Sequence, residues 1–271
     1  MRYSQETGLG QFALPASSIA DNSGVKTLTV ARNFGFGGVE LWGDGLLFLS
    51  EGEIQQAIEV FRANPISLIS VHLPVMDTNI ASANRDIRRA SLESTIKAMT
   101  IARRYGAKIA VLHTGKVSRG NKVASFEDIS RKASLDSIYR LWQIAEKLGM
   151  ELAVENGGRR DLFSRQDEYL WLTENVLDIP IKKCIDVGHA AVRGWDWSAI
   201  LSLKDVVCVH VHDNDLKHDR HMIPGYGAIP WNTLLPLLQN KPLVLEIREY
   251  KTLEDFLDAA LWLNEKLMRE G

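Results

Sequence analysis

A chain of 271 residues with 45% hydrophobic, 24% charged and 8% aromatic side chains has the balance of a protein that buries a large core, which excludes a disordered, collagenous or low-complexity polypeptide. Thirty-two Lys and Arg against thirty-four Asp and Glu leave a formal net charge of -2, so no overall basic field draws the chain toward nucleic acid or acidic lipid. No stretch reaches the ~20 uninterrupted apolar residues of a membrane span, and MRYSQETGLGQFALP lacks the basic and apolar regions of a signal peptide, so a cytoplasmic location without a membrane partner is expected.

Short apolar runs of strand type alternate with longer segments of helical period along the whole chain. The first two runs are Gly10 to Leu14 and Gly38 to Leu41, followed by Ile66 to His72. A helix is expected over Asp86 to Tyr105, where Ile87, Ala90, Ser94, Ile96, Met99, Ala102 and Tyr105 recur at three- and four-residue steps and Gly106 ends the run. The strand Lys108 to His113 leads into a second such helix, Ser125 to Leu148, with Ile129, Ala133, Ile138, Leu141, Trp142 and Ala145 inward and Gly149 as its stop. Four more strands follow, Met150 to Glu155, Ile181 to Asp186, Val206 to His212 and Leu243 to Ile247, and a helix over Leu253 to Met268 closes the series. Eight strand-helix units without a linker or composition shift predict an α/β fold, a (β/α)8 TIM barrel forming one domain over residues 1–271. An open doubly wound sheet would carry a glycine-rich phosphate turn after its first strand, and LPASSIADNSG does not fit one. Cys184 and Cys208 sit in apolar runs without CxxC spacing and read as core thiols.

Strands of such a barrel are buried on both faces, so an acid or imidazole at a strand end is costly unless paired or bound to a metal. This chain places one at the end of most strands: His72 in SVHLP, His113 in AVLHTG, Glu155 in LAVENGG, Asp186 and His189 in CIDVGHA, His210, His212 and Asp213 in VHVHDND, and Glu246 in LVLEIRE. The C-terminal strand ends of a TIM barrel share one mouth, so these groups are expected to converge there. Taken singly, each also reads as a capped or hydrogen-bonded rim residue. Taken together, the set suits a divalent cation, with Mn or Zn first and Co or Mg as further candidates. Asp219 and His221 extend the set from the following loop, whereas His218 reads as solvated. Trp42, Trp195 and Trp231 lie just after strand ends and read equally as walls of a sugar pocket or as packing, and Asn156 and Arg220 as polyol ligands or as caps.

The ordered series GVELW, VHLP, LHTG, VENGG, DVGHA, HVHDND, DRHMIPGYG and LEIRE resembles the xylose isomerase-like barrel superfamily, which holds sugar isomerases, ketose 3-epimerases, inosose dehydratases and type IV apurinic endonucleases. The resemblance implies metal ligands at Glu155, Asp186, His210 and Glu246, with His212 as the alternate for His210, and substrate contacts at His72, His113, His189 and Arg220. It implies a metal-dependent isomerase or epimerase of a sugar, sugar phosphate or related hydroxy-carbonyl compound, with Glu155 and Glu246 as the proton-transferring pair. The partner is then a small sugar or polyol, and whether the chain forms a homo-oligomer stays open. Two alternatives share the pattern. An inosose-type dehydratase begins with the same proton abstraction, and a zinc-dependent apurinic endonuclease would use His72, His113, His189, Asp219 and His221 as additional ligands and take nucleic acid as partner. Against the endonuclease stand LPASS at the first strand end and Tyr226 in PGYG, where that branch has other residues.

Overall fold

A computed structural model describes residues 8–117, 124–176 and 179–269. The eight strands are β1 (Phe12–Pro15), β2 (Gly38–Trp42), β3 (Leu68–His72), β4 (Ile109–Leu112), β5 (Glu151–Glu155), β6 (Lys182–Asp186), β7 (Val206–Val211) and β8 (Leu243–Leu245). They pair in parallel in that order, and β8 returns to β1, so the barrel is closed. The main outer helices are α1 (Val25–Phe34), α3 (Glu51–Ala63), α4 (Arg85–Tyr105), α5 (Ala124–Leu148), α9 (Trp231–Leu238) and α10 (Glu254–Arg269), while α2 (Gly43–Leu46), α6 (Gln166–Trp171), α7 (Val187–Arg193) and α8 (Trp197–Leu201) are short. Gly106 takes φ 98° at the end of α4, a left-handed conformation that only glycine adopts without strain, and the Asn84 side chain caps its start. None of the described helices is long and apolar enough to cross a membrane.

Two apolar compartments follow from the strand alternation. One lies between barrel and helices, and the other is the barrel interior, where Ile109, Val111, Ala153, Cys184 and Cys208 pack together. The two thiols are reduced and buried there, as their apolar settings predict. Above this interior layer, register pairs Glu155 with Cys184 and Asp186 with His210. Three functional residues, His113, His212 and Glu246, each lie one residue past the end of their strand, and the Glu246 N–H still donates to the Val211 carbonyl at 3.1 Å. Ile87 and Ile129, placed inward by periodicity, are about half exposed, because the long helices α4 and α5 begin beyond the short strands they cover.

Candidate metal centre and active site

Glu155 is the hub of the mouth. Its carboxylate is fully buried, and four imidazole nitrogens approach it: His113 Nε2 at 3.1 Å, His189 Nδ1 at 3.3 Å, His72 Nε2 at 3.4 Å and His210 Nδ1 at 3.7 Å. None of these approaches has hydrogen-bond geometry, so both Glu155 oxygens and His210 Nδ1 are buried without a partner. A buried carboxylate ringed by nitrogens and left unsatisfied is the arrangement a shared cation resolves.

The far side of each ring supports the same reading. His72 Nδ1 donates to the Leu73 carbonyl (3.0 Å), His221 Nδ1 to the Glu246 carbonyl (2.7 Å), and His113 Nδ1 to Asp161 (3.2 Å). His189 Nδ1 meets the Asn156 carbonyl at 3.1 Å, and His210 Nε2 meets Glu40 at 3.3 Å. A carbonyl or carboxylate acceptor holds the proton on that nitrogen, so His72, His113 and His210 present the lone pair of the other nitrogen toward Glu155, whereas His189 presents Nε2 toward Asp219 at 3.2 Å, which is how metal-binding histidines are oriented.

Several ligand groups result, among them His72, His113 and Glu155; His72, His210 and Glu246; His212, His221 and Glu246; and His189, Asp219 and His221, each sharing a residue with the next. Asp186 joins them through His212 Nε2, 3.1 Å from both of its oxygens, and its Oδ1 also accepts from the His189 backbone N–H that opens α7. His212 and His221 stack at 3.8 Å. His210 lies deeper, its Nδ1 3.6 Å from Glu246 and 3.7 Å from Glu155. Both candidates for the strand-seven ligand thus reach the site, His212 beside Asp186 and His210 between the two glutamates. The donors are all carboxylate oxygen and imidazole nitrogen, which fits Zn, Mn or Co in particular.

Electrostatics couples the cluster. Burial alone would lower His113, but the Glu155 and Asp161 carboxylates outweigh it and lift the imidazole to about 10. Burial opposes the charge on His189 likewise, and Asp186, Asp219 and Glu155 raise it well above its ordinary value. Against the pull of burial, His113 and His210 hold Glu155 well below the carboxylate range. Without a cation the carboxylates favour the protonated forms of His113 and His189, so cation and protons compete within the cluster.

The cluster forms the floor of a cavity of about 460 Å³, to which His72, His113, His189, Asp219, His221 and Glu246 contribute. Arg220 does not line it: its guanidinium is held two-pronged by Glu249 at 2.9 and 2.8 Å on the surface. Asn156 is also engaged elsewhere, with Oδ1 accepting from the Asp186 N–H (2.7 Å) and Nδ2 donating to the Asp186 carbonyl (2.9 Å), so it sets the strand end that carries Asp186. Trp195 and Trp231 are buried in packing and donate to Ser164 and Asp213, and the solvent-facing Tyr226 is 76% exposed. Two participants escape the strand-end reading. Glu40 in GVELW is buried between Ser70 and His210, and its inward parity in an apolar strand was the available signal. Asp161 comes from an irregular loop that carries no periodic signal.

Comparison with known proteins agrees with this architecture. The uncharacterised protein MJ1614 of Methanocaldococcus jannaschii is 27% identical over 204 residues, 72% of this chain and 73% of that one. The crystal structure of a D-tagatose 3-epimerase-like protein superposes with a TM-score of 0.77 at 21% identity, covering 96% of this chain and 97% of that one. An IOLI protein with a bound zinc atom superposes with a TM-score of 0.74 at 19% identity over 96% and 98% of the two chains. The sequence profile of one family matches residues 28–266, and the chain therefore belongs to the xylose isomerase-like TIM barrel family.

Proposed function

We propose that the protein is a divalent-metal-dependent isomerase or epimerase of a sugar, sugar phosphate or related hydroxy-carbonyl compound. The observation that carries the reading is the pair Glu155 and Glu246, which enter from strands three apart and both reach His210 Nδ1 beneath one cavity. Glu155, Asp186, Glu246 and either His212 or His210 would hold the cation, and when bound it supplies positive charge beside the carbonyl and hydroxyl oxygens of the substrate. One glutamate takes the proton from the carbon next to the carbonyl. The electron pair left behind forms an enediolate, and the second glutamate returns a proton to the opposite face of that carbon or to its neighbour. The first outcome is epimerisation and the second isomerisation. His189, His72 and His113 face the cavity and orient substrate hydroxyls. Bound-zinc and epimerase-like relatives support this reading.

Glu155→Gln and Glu246→Gln test it. Each should abolish deuterium uptake from solvent into a ketose panel while circular dichroism stays native, and full activity in either variant refutes the assignment. One observation favours a second reading: His189, Asp219 and His221 form a further ligand group, which hydrolysis of an abasic-site phosphodiester by clustered zinc would use.

A further inference from the structure

The rim of the cavity carries charges that the floor chemistry does not use. Lys116 follows β4, Arg159 and Arg160 follow β5, Lys217 lies in the loop after β7 and Arg248 follows β8; all five are exposed and line the opening. The acids that line the same cavity are already matched from within the cluster. Asp161 has His113 at 3.2 Å, Asp219 has His189 at 3.2 Å and His221 at 3.4 Å, and Glu246 has His210 at 3.6 Å.

Most of the cations are not matched. Arg159 reaches only the Val192 carbonyl at 3.2 Å, whereas Arg248 has a loose ion pair with Glu246 at 3.8 Å. Lys116, Arg160 and Lys217 meet no carboxylate within 4.0 Å among the described residues. Five cations, four of them without a carboxylate partner among the described residues, thus ring one opening, and a cleft concentrates their field on what enters it.

Guanidinium groups bind oxyanions two-pronged, and their charge is worth most where the ligand is held in a concave site. We propose that the substrate carries a terminal phosphate or carboxylate, seated on the rim among Arg159, Arg160, Lys217 and Arg248, while its hydroxy-carbonyl end reaches the glutamates below. This rests on the isomerase or epimerase reading above. A cavity of about 460 Å³ accommodates a monosaccharide with one such group.

The test is calorimetric titration of the metal-loaded protein with inorganic phosphate, D-fructose, D-fructose 6-phosphate, D-fructuronate and a short abasic DNA duplex. The titrations are repeated on an Arg159→Gln, Arg160→Gln double variant and on Arg248→Gln. One anionic sugar should bind at least about tenfold more tightly than fructose, and the advantage should vanish in the double variant and shrink severalfold in Arg248→Gln, with metal content unchanged. The phosphate and carboxylate arms identify which anion is read. Equal binding of fructose and both anionic sugars, an advantage that survives the variants, or tighter binding of the duplex than of either sugar overturns the proposal. Deuterium exchange from solvent, run in parallel, separates the two claims. Exchange into fructose without anion preference removes only the rim assignment, and anion preference without exchange into any probe removes only the isomerase reading.

Discussion

Asp213 joins the loop bearing Asp219 and His221 to the end of β7, and its loss should cost both stability and metal. Its fully buried carboxylate accepts four donors: the N–H groups of Asn214 (2.9 Å) and Ile229 (3.1 Å) on Oδ1, and the Gly225 N–H (2.8 Å) and Trp231 Nε1 (2.8 Å) on Oδ2. In Asp213→Asn one oxygen still serves two donors, but the new amide turns its own hydrogens toward the other two. Two hydrogen bonds to a charged acceptor are lost, at about 1.5–3 kcal/mol each, so unfolding free energy should fall by about 3–6 kcal/mol. That is a large share of the 5–15 kcal/mol typical of a folded chain. The loop then releases His221, which sits at φ 52° and is held by the Arg248 and Glu249 N–H groups on its carbonyl. Guanidinium unfolding followed by circular dichroism, with metal content measured at the folded baseline, reads both effects. A loss below about 1 kcal/mol with unchanged metal would refute the reasoning.

Other expectations follow from the same geometry. In Gly188→Ala a Cβ would overlap the His212 ring, so metal affinity should fall at least tenfold while α7 stays folded; equilibrium dialysis against zinc checks it, and unchanged affinity would take His212 out of the centre. Glu40→Ala removes the acceptor on His210 Nε2, so metal affinity or turnover should drop about 10–100-fold, with Glu40→Gln milder because its amide oxygen can still accept. The pH dependence has a definite sign. His113 is lifted from 6.5 to about 10 in the folded chain, so its contribution to the stability of metal-free protein is fully present below about pH 6.5 and is lost as pH rises toward 10. A cation held by His210 or His212 must displace the proton that the neighbouring acids favour there, so binding should release protons and tighten with pH; identical calorimetric heats in buffers of different ionisation enthalpy would contradict this.

The barrel was legible because its strands are apolar on both faces, which makes any acid or imidazole at a strand end conspicuous. His72, Glu155, Asp186 and Glu246 stand out on that ground from the sequence alone. The same holds for Glu40, one strand earlier, yet an isolated glutamate in GVELW carries no neighbour in sequence to mark it. Periodicity is silent on loops, so Asp161, which orients His113, had no signal, and Arg220 gave no sign that Glu249 would hold it at the surface. Asn156 shows a further limit. Its position beside Glu155 is consistent with substrate contact, and only the paired bonds to the Asp186 backbone reveal a residue that positions a neighbouring strand end. The choice between His210 and His212 depends on depth along one strand, and two residues of the same parity differ there by a whole side-chain layer.

The most direct test of the account is solvent deuterium exchange into the carbon next to the carbonyl, measured over a panel of ketoses, ketose phosphates and inososes. Metal-loaded protein, chelator-treated protein and chelated protein restored with Mn or Zn are compared. Exchange into at least one of these substrates is expected, lost with the chelator and restored with metal. No exchange into any of them, together with zinc-dependent strand cleavage at abasic DNA sites, would contradict it.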